Sequence, residues 1–214
     1  MTEIPTMTAV RVMTLPHHDT RSRPIEVLPP VELTTDRLLF RPLASADRNR
    51  VLTALESSRD ALLPTIPLNQ TDALGIKESD RDLFDRWVAN AIESDNNRTA
   101  WRRAAFLEDG TFVGLFNLIK IDLGLEWTCE ANWWVDHRLA GRGFATEGVE
   151  ALLHFATADL PVGLGLHRVT AMIQPDNAAS IRVAEKCGMR STGHAELLEI
   201  NGSVRPHLEF VYPV

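Results

Sequence analysis

The residues best suited to chemistry lie in one run, Trp133-Trp134-Val135-Asp136-His137-Arg138-Leu139-Ala140-Gly141-Arg142-Gly143-Phe144-Ala145-Thr146-Glu147. Its strand-like start gives way to a tight loop with two glycines, then to a helical pattern that begins at Phe144. The first N–H groups of a helix have no partner inside it. The helix dipole adds positive potential at that end, worth about 0.3–1 kcal/mol per charge at an exposed site. Gly141 and Gly143 let a bulky anion approach the backbone closely. Arg138 and Arg142 flank the same spot. These residue types in this order suit a pyrophosphate.

The spacing narrows which pyrophosphate it is. A dinucleotide fingerprint needs G-x-G-x-x-G after the first strand of a βαβ unit. Here the third glycine position is Thr146, and the preceding pattern is an antiparallel hairpin. The Gly-Lys-Ser/Thr of a P-loop is absent. Arg138, Gly141 and Gly143 instead resemble the coenzyme A signature of GNAT acetyltransferases, Arg/Gln-x-x-Gly-x-Gly/Ala. Thr35 to Leu43, Glu130 to Val135, Asn177-Ala178-Ala179-Ser180 and Glu185-Lys186-Cys187-Gly188-Met189 are similar to further segments of the RimJ/RimL branch. They occur in family order and spacing from about residue 33 to 212.

The resemblance implies a site. Backbone amides around Val135 and from Gly141 through Arg142, Gly143 and Phe144 to Ala145 would hold pantetheine and pyrophosphate, beside Arg138. Thr146 would add a hydroxyl, and Asn177 would touch the pantetheine arm or fix the adjacent turn. Acetyl-CoA would serve as cosubstrate, with no metal. Glu130 is the candidate general base, directly or through water. Many relatives place a tyrosine before the Glu-Lys pair of the last helix as acid; this chain has Ala184 there. Ser180 is the candidate hydrogen-bond donor to the leaving sulfur. Deprotonating a lysine-like amine at pH 7.5 costs about 4 kcal/mol, and an α-amine only about 0.4 kcal/mol. An α-amine therefore demands little of a base.

The elements that must position these groups follow from periodicity and turn chemistry. Leu33–Leu43 reads as a strand. A helix capped at Ser45 or Asp47 reaches about Leu62, and Pro64 and Pro67 break it. A second helix runs from about Ser79 to Ser94. Strands at Thr99–Leu107 and Thr111–Ile121 join through Asp109-Gly110. Another strand spans Trp127–Val135, followed by a helix over Phe144–Ala158. A strand at Arg168–Ile173 and a helix at Ala178–Cys187 come next. A hairpin of Glu196–Ile200 and Val204–Tyr212 turns at Asn201-Gly202. The order describes a mixed α/β domain of GNAT type over 31–214, with a largely antiparallel sheet and one parallel strand–helix–strand unit. Residues 1–30, with Pro5, Pro16, Pro24, Pro29 and Pro30, read as an extended arm.

Composition bounds the partners. The chain has 214 residues, a formal charge of −7 and two cysteines. That charge points away from nucleic acid and towards cationic partners. The absence of a long apolar run argues against a membrane span or secretory signal, and a cytoplasmic location is expected. Cys129 and Cys187 are expected to pack as small hydrophobes. His137, His154, His167 and His194 lack metal spacing. Of Trp133 and Trp134, one should enter the core and the other the acceptor cleft. The acidic run Glu78 to Asp85 reads as a solvated helix face. The acceptor region is expected from residues 57–82, 122–128 and the last hairpin. A homodimer is compatible with the family's exposed edge strands. Three functions remain open: acetylation of a protein or peptide N-terminus, acetylation of a small amine (polyamine, antibiotic or amino-acid derivative), and coenzyme A binding without turnover.

Overall fold

The computed structural model describes residues 32–68, 70 and 77–213; the expected N-terminal arm lies outside them. The chain runs β1 (Leu33–Thr34), β2 (Leu39–Arg41), α1 (Arg48–Leu62), α2 (Asp80–Asn97), β3 (Trp101–Phe106), β4 (Phe112–Asp122), β5 (Thr128–Val135), α3 (Phe144–Thr157), β6 (Arg168–Ile173), α4 (Ala178–Lys186), β7 (Arg190–Ile200) and β8 (Ser203–Pro213). All eight strands form one sheet in the order β1-β2-β3-β4-β5-β6-β8-β7. Among the described residues only β5 and β6 pair in parallel, and α3 connects them.

The expected first strand is two. Thr35 N–H donates to the Leu38 carbonyl at 2.9 Å, closing a turn at Asp36-Arg37 between β1 and β2. Asp47 begins α1 without capping it by side chain. Its buried carboxylate instead accepts from Ala44 N–H at 2.9 Å and from the Arg41 guanidinium. Ser79 does cap α2, in a capping box with Asp82. The acidic run at the start of α2 is not simply solvated. Asp80 and Asp85 pair with Arg59 and Arg48 of α1, and Glu78 accepts from Arg86 Nε and Nη2 at 2.7 and 2.8 Å. β7 starts six residues before the expected Glu196, with Gly193 at φ +79 inside an irregular stretch of pairing.

Alternation along the strands divides the core between the two faces of the sheet. On one face Ala104, Leu115 and Trp134 pack with Val51 and Leu55 of α1 and Leu83 and Phe84 of α2. On the other, Trp101, Phe116 and Ala131 pack with Val149, Leu152 and Phe155 of α3. Two glycines permit unusually close approach. A Cβ on Gly148 would stand 2.2 Å from the Phe116 ring, so α3 lies directly on the sheet. A Cβ on Gly114 would stand 2.1 Å from the Trp134 carbonyl oxygen, where β4 meets β5.

The second contact is with backbone, so no rotamer change relieves it. Gly114→Ala should destabilise the fold by about 1–3 kcal/mol. The expected reading is a lower urea midpoint with an unchanged slope; an unmoved midpoint would show that the strands separate without cost.

Candidate active site

β5 and β6 pair only from Thr128–Glu130 against Arg168–Thr170. Beyond that they diverge, while β5 stays paired to β4 as far as Val135 and β6 to β8 as far as Ile173. The divergence opens a cleft in the middle of the sheet. A small cavity of about 90 Å³ occupies it, lined among others by Trp133, Ala171, Asn177 and Ser180. A larger cavity of about 370 Å³ lies on the α1–α2 side, lined by Trp87, Arg102, Asn117, Glu130 and Leu198 among others. Thr65, Ile66, Asn132, Trp134, Met172 and His207 line both, and so mark where the two spaces meet.

The loop between β5 and α3 sits at the end of the divergence. Gly141 and Gly143 have φ of +76° and +83°, left-handed values that favour glycine. Gly143 is the N-cap of α3 and offers no side-chain cap to its first turn. The space beside Gly141 is open: a Cβ there would meet nothing within 4 Å. Phe144 is buried, whereas Ala145 and Thr146 are half-buried. Glu147 ties this turn to the first hairpin. It accepts from Thr35 Oγ1 at 2.6 Å, Arg37 N–H at 3.0 Å and Arg37 Nε at 2.6 Å. Arg37 also donates to the Arg142 carbonyl at 3.1 Å and lies 4.5 Å over the Phe144 ring. Arg142 itself is exposed.

Asp136 anchors the loop from below. Its carboxylate accepts from Ser57 Oγ of α1 at 3.0 Å and from Arg138 N–H at 3.0 Å, and binds the Arg138 guanidinium. Ser58 Oγ accepts from His137 N–H at 2.9 Å. Arg138 is thus engaged by Asp136 rather than pointing free beside the glycines. Burial pushes the Asp136 carboxyl up; the hydrogen bonds from Arg138 and Ser57, with the Arg138 charge, more than offset this and hold it below its ordinary value.

Among the other expected site residues, Asn177 caps α4, its Oδ1 accepting from Ser180 N–H at 3.1 Å, and both side chains border the small cavity. Glu130 lines the large one, with Oε2 accepting from Lys120 Nζ at 2.7 Å. Lys120 has φ +52° at an irregularity in the β4–β5 pairing, which turns it onto Glu130. Trp134, the more buried of the tryptophan pair, borders both cavities, and Trp133 only the small one. Ala184 is fully buried, and Tyr212 pairs opposite Val169, away from both cavities. Burial pushes the Cys129 and Cys187 thiols up to about 12, which excludes a thiolate nucleophile near neutral pH. Residues 69 and 71–76 of the expected acceptor region lie outside the described residues.

Two residues at the junction escaped the sequence reading. His207 is buried, with Nδ1 3.0 Å from the Arg205 carbonyl and Nε2 3.3 Å from Gln174 Nε2. A carbonyl only accepts, so the proton sits on Nδ1 and Nε2 is the acceptor. Gln174, also buried, donates to the Pro64 carbonyl. A lone histidine or glutamine in a strand gives no spacing signal. Only the contact with the loop after α1 reveals them.

A family model described as an acetyltransferase (GNAT) domain matches residues 37–190. The chain belongs to the GNAT acetyltransferase family. Probable N-acetyltransferase YjcK of Bacillus subtilis (strain 168) is 28% identical over 165 residues, covering 66% of this chain and 88% of its own. Mycobacterium smegmatis RimJ, solved with CoA-disulfide, superposes with a TM-score of 0.71 at 21% identity, covering 82% of this chain and 81% of that one. The microcin C7 self-immunity acetyltransferase MccE, solved with acetyl-CoA and AMP, gives 0.70 at 16%, covering 87% and 98%. The GNAT fold, with a largely antiparallel sheet and four α-helices among the described residues, is therefore the fold of this chain, and its RimJ/RimL-like neighbours match the sequence resemblance.

The depressed Asp136 carboxyl has a pH signature in this GNAT chain. A group whose pKa falls on folding stabilises above its unfolded value, about 3.9, and that contribution is lost as pH falls through the folded value. Asp136→Asn should flatten the acid limb of the stability curve below about pH 4. Urea midpoints collected from pH 2 to 7 test this; parallel curves for variant and wild type would show that Asp136 contributes no linkage.

Proposed function

We propose that this GNAT acetyltransferase transfers the acetyl group of acetyl-CoA to an α-amine, such as a protein or peptide N-terminus, by direct attack. The observation that carries the reading is the meeting of the two cavities. One lies in the sheet divergence beside an anion-suited helix N-terminus; the other is walled by a carboxylate and polar side chains. The open space at Gly141 and the uncapped first turn of α3 fit a pyrophosphate seat. The RimJ and RimL names of its structural neighbours agree with an amine on a protein.

The thioester supplies an electrophilic carbonyl carbon. Amides from Gly141 to Ala145 hold the pyrophosphate, with Arg142 nearby and Thr146 in the same turn. The free edge of β5 as far as Val135, together with Asn177, lines the pantetheine path. The acceptor enters through the larger cavity to the junction at Asn132 and Trp134. Glu130 takes the amine proton, directly or through water, as nitrogen bonds to carbon. The carbon–sulfur bond then breaks, and Ser180 hydrogen-bonds the departing sulfur, which is a good leaving group needing no strong acid. With Ala184 buried and Tyr212 remote, no tyrosine performs that task.

A small α-amino compound is the second reading. A volume of about 370 Å³, lined on one side by the packed rings of Trp87 and Trp134, suits a small ligand or the first residues of a chain.

Gly143→Glu should abolish acetyl-CoA binding in calorimetry, because a charged side chain would meet the pyrophosphate; retained affinity would remove the site. Glu130→Gln should lower kcat by roughly 10²-fold or more while acetyl-CoA affinity holds. Thiol release across α-amine peptides, amino acids and polyamines reads both turnover and acceptor class, and a wild-type kcat in Glu130→Gln would remove the base.

A further inference from the structure

The larger cavity has an uneven charge balance. Three arginines line it, Arg86, Arg102 and Arg103. Glu78 takes Arg86 through two hydrogen bonds, and Asp95 accepts from Arg103 Nη1 at 3.0 Å. Glu130, the carboxylate of the wall, is paired with Lys120. Arg102 remains. Its Nε donates to Ser94 Oγ at 3.2 Å, and no carboxylate pairs with it among the described residues. It is half-buried, and burial alone pushes its pKa down. A desolvated cation answered only by a neutral hydroxyl is costly, and such groups are kept where a ligand supplies the counter-charge.

The position of Arg102 is fixed by register. Arg102 on β3 pairs opposite Asn117 on β4, and Asn117 opposite Asn132 on β5. Residues directly opposite share a face. The three thus form a polar row across the cavity floor, and Asn117 Nδ2 donates to Asn132 Oδ1 at 2.9 Å. Two strand spacings, about 10 Å, separate the backbone at Arg102 from that at Asn132, where the cavities meet.

We infer that the cavity takes an amine that also bears a carboxylate, with the amine at the Asn132 end and the carboxylate on the Arg102 guanidinium. This rests on the proposal that the cavity receives the acceptor. One unanswered positive charge matches a singly charged carboxylate, which a guanidinium grips through two parallel hydrogen bonds. Polyamines, with further positive charges, are disfavoured by the same group. The carboxylate has two sources, the α-carboxylate of a free amino acid or an acidic side chain near a peptide N-terminus.

The test uses acceptors in matched pairs: amino acids against their amides, and short peptides with Asp or Glu against Asn or Gln at positions one and two. Thiol release from acetyl-CoA should favour the carboxylate member of one series by about 10–100-fold in kcat/KM, and the favoured series names the source. Arg102→Gln should raise KM for that member and erase the preference. KM for acetyl-CoA should stay unchanged, and Arg102→Lys should restore part of the preference. Equal or better use of the amides, or a preference that survives Arg102→Gln, overturns the inference and leaves amine acetylation standing. Thermal shift with coenzyme A present separates the other failure. Carboxylate amines that stabilise wild type but not Arg102→Gln, without turnover, would sustain the inference and sink the transfer reading. If carboxylate amines give neither stabilisation nor turnover, the inference is overturned.

Discussion

Everything at the centre of this protein depends on two parallel strands that stop pairing early. β5 and β6 share three register positions and then part. Backbone N–H and C=O groups inside a protein require partners, so such a divergence survives only if each strand is secured on its outer side. β4 holds β5, tightened where Gly114 lets the backbones nearly touch. β8 holds β6 along its whole length. The inner edges face the small cavity that the divergence opens, and the loop after β5 leads into α3.

The cleft is bordered by groups whose charges are mostly settled within the protein. Ser57 and Ser58 of α1, bonded to Asp136 and His137, fix the loop before α3 to that helix, and Glu147 with Arg37 fixes the first turn of α3 to the β1–β2 hairpin. Around the larger cavity, ion pairs neutralise Arg86, Arg103 and Glu130. A hydrogen-bonded pair, Gln174 and His207, sets the junction by reaching the Pro64 carbonyl. Orientation at the junction thus comes from hydrogen bonds of fixed direction. The unpaired charge of Arg102 lies two strands away from it.

Much of this frame was legible from local chemistry. The limits of β6 and the start of α3 followed from periodicity and glycine placement, and the apolar stripe of α2 placed its start near Ser79. The glycine loop was legible because helix N-termini and positive φ act within a few residues. What escaped was long-range. Asp36-Arg37 lies inside an apolar-flanked run that reads as one strand until Thr35 and Leu38 are seen to close a turn. The first residues of β7, Arg190 to Ala195, are exposed and include no large apolar side chain, so they carry no alternation. The acidic start of α2 gave no hint that α1 would offer Arg48 and Arg59 to it. Arg102, Gln174 and His207 matter through cross-strand register and loop contact, which no spacing rule encodes.

The turn between β7 and β8 reaches further than its position suggests. Asn201, at φ +52°, donates to the carbonyls of Leu63 and Ile66, holding the segment that borders both cavities. The last hairpin also contributes Leu198, Ile200 and His207 to the wall of the larger cavity. Leu198 and Ile200, on the outer strand β7, line that cavity and not the smaller one, whereas β8 brings His207 to both and holds β6. Exchanges along the outer strand would therefore reshape the larger cavity while the strands that frame the cleft keep their pairing, a modular route to a new wall on an unchanged chassis.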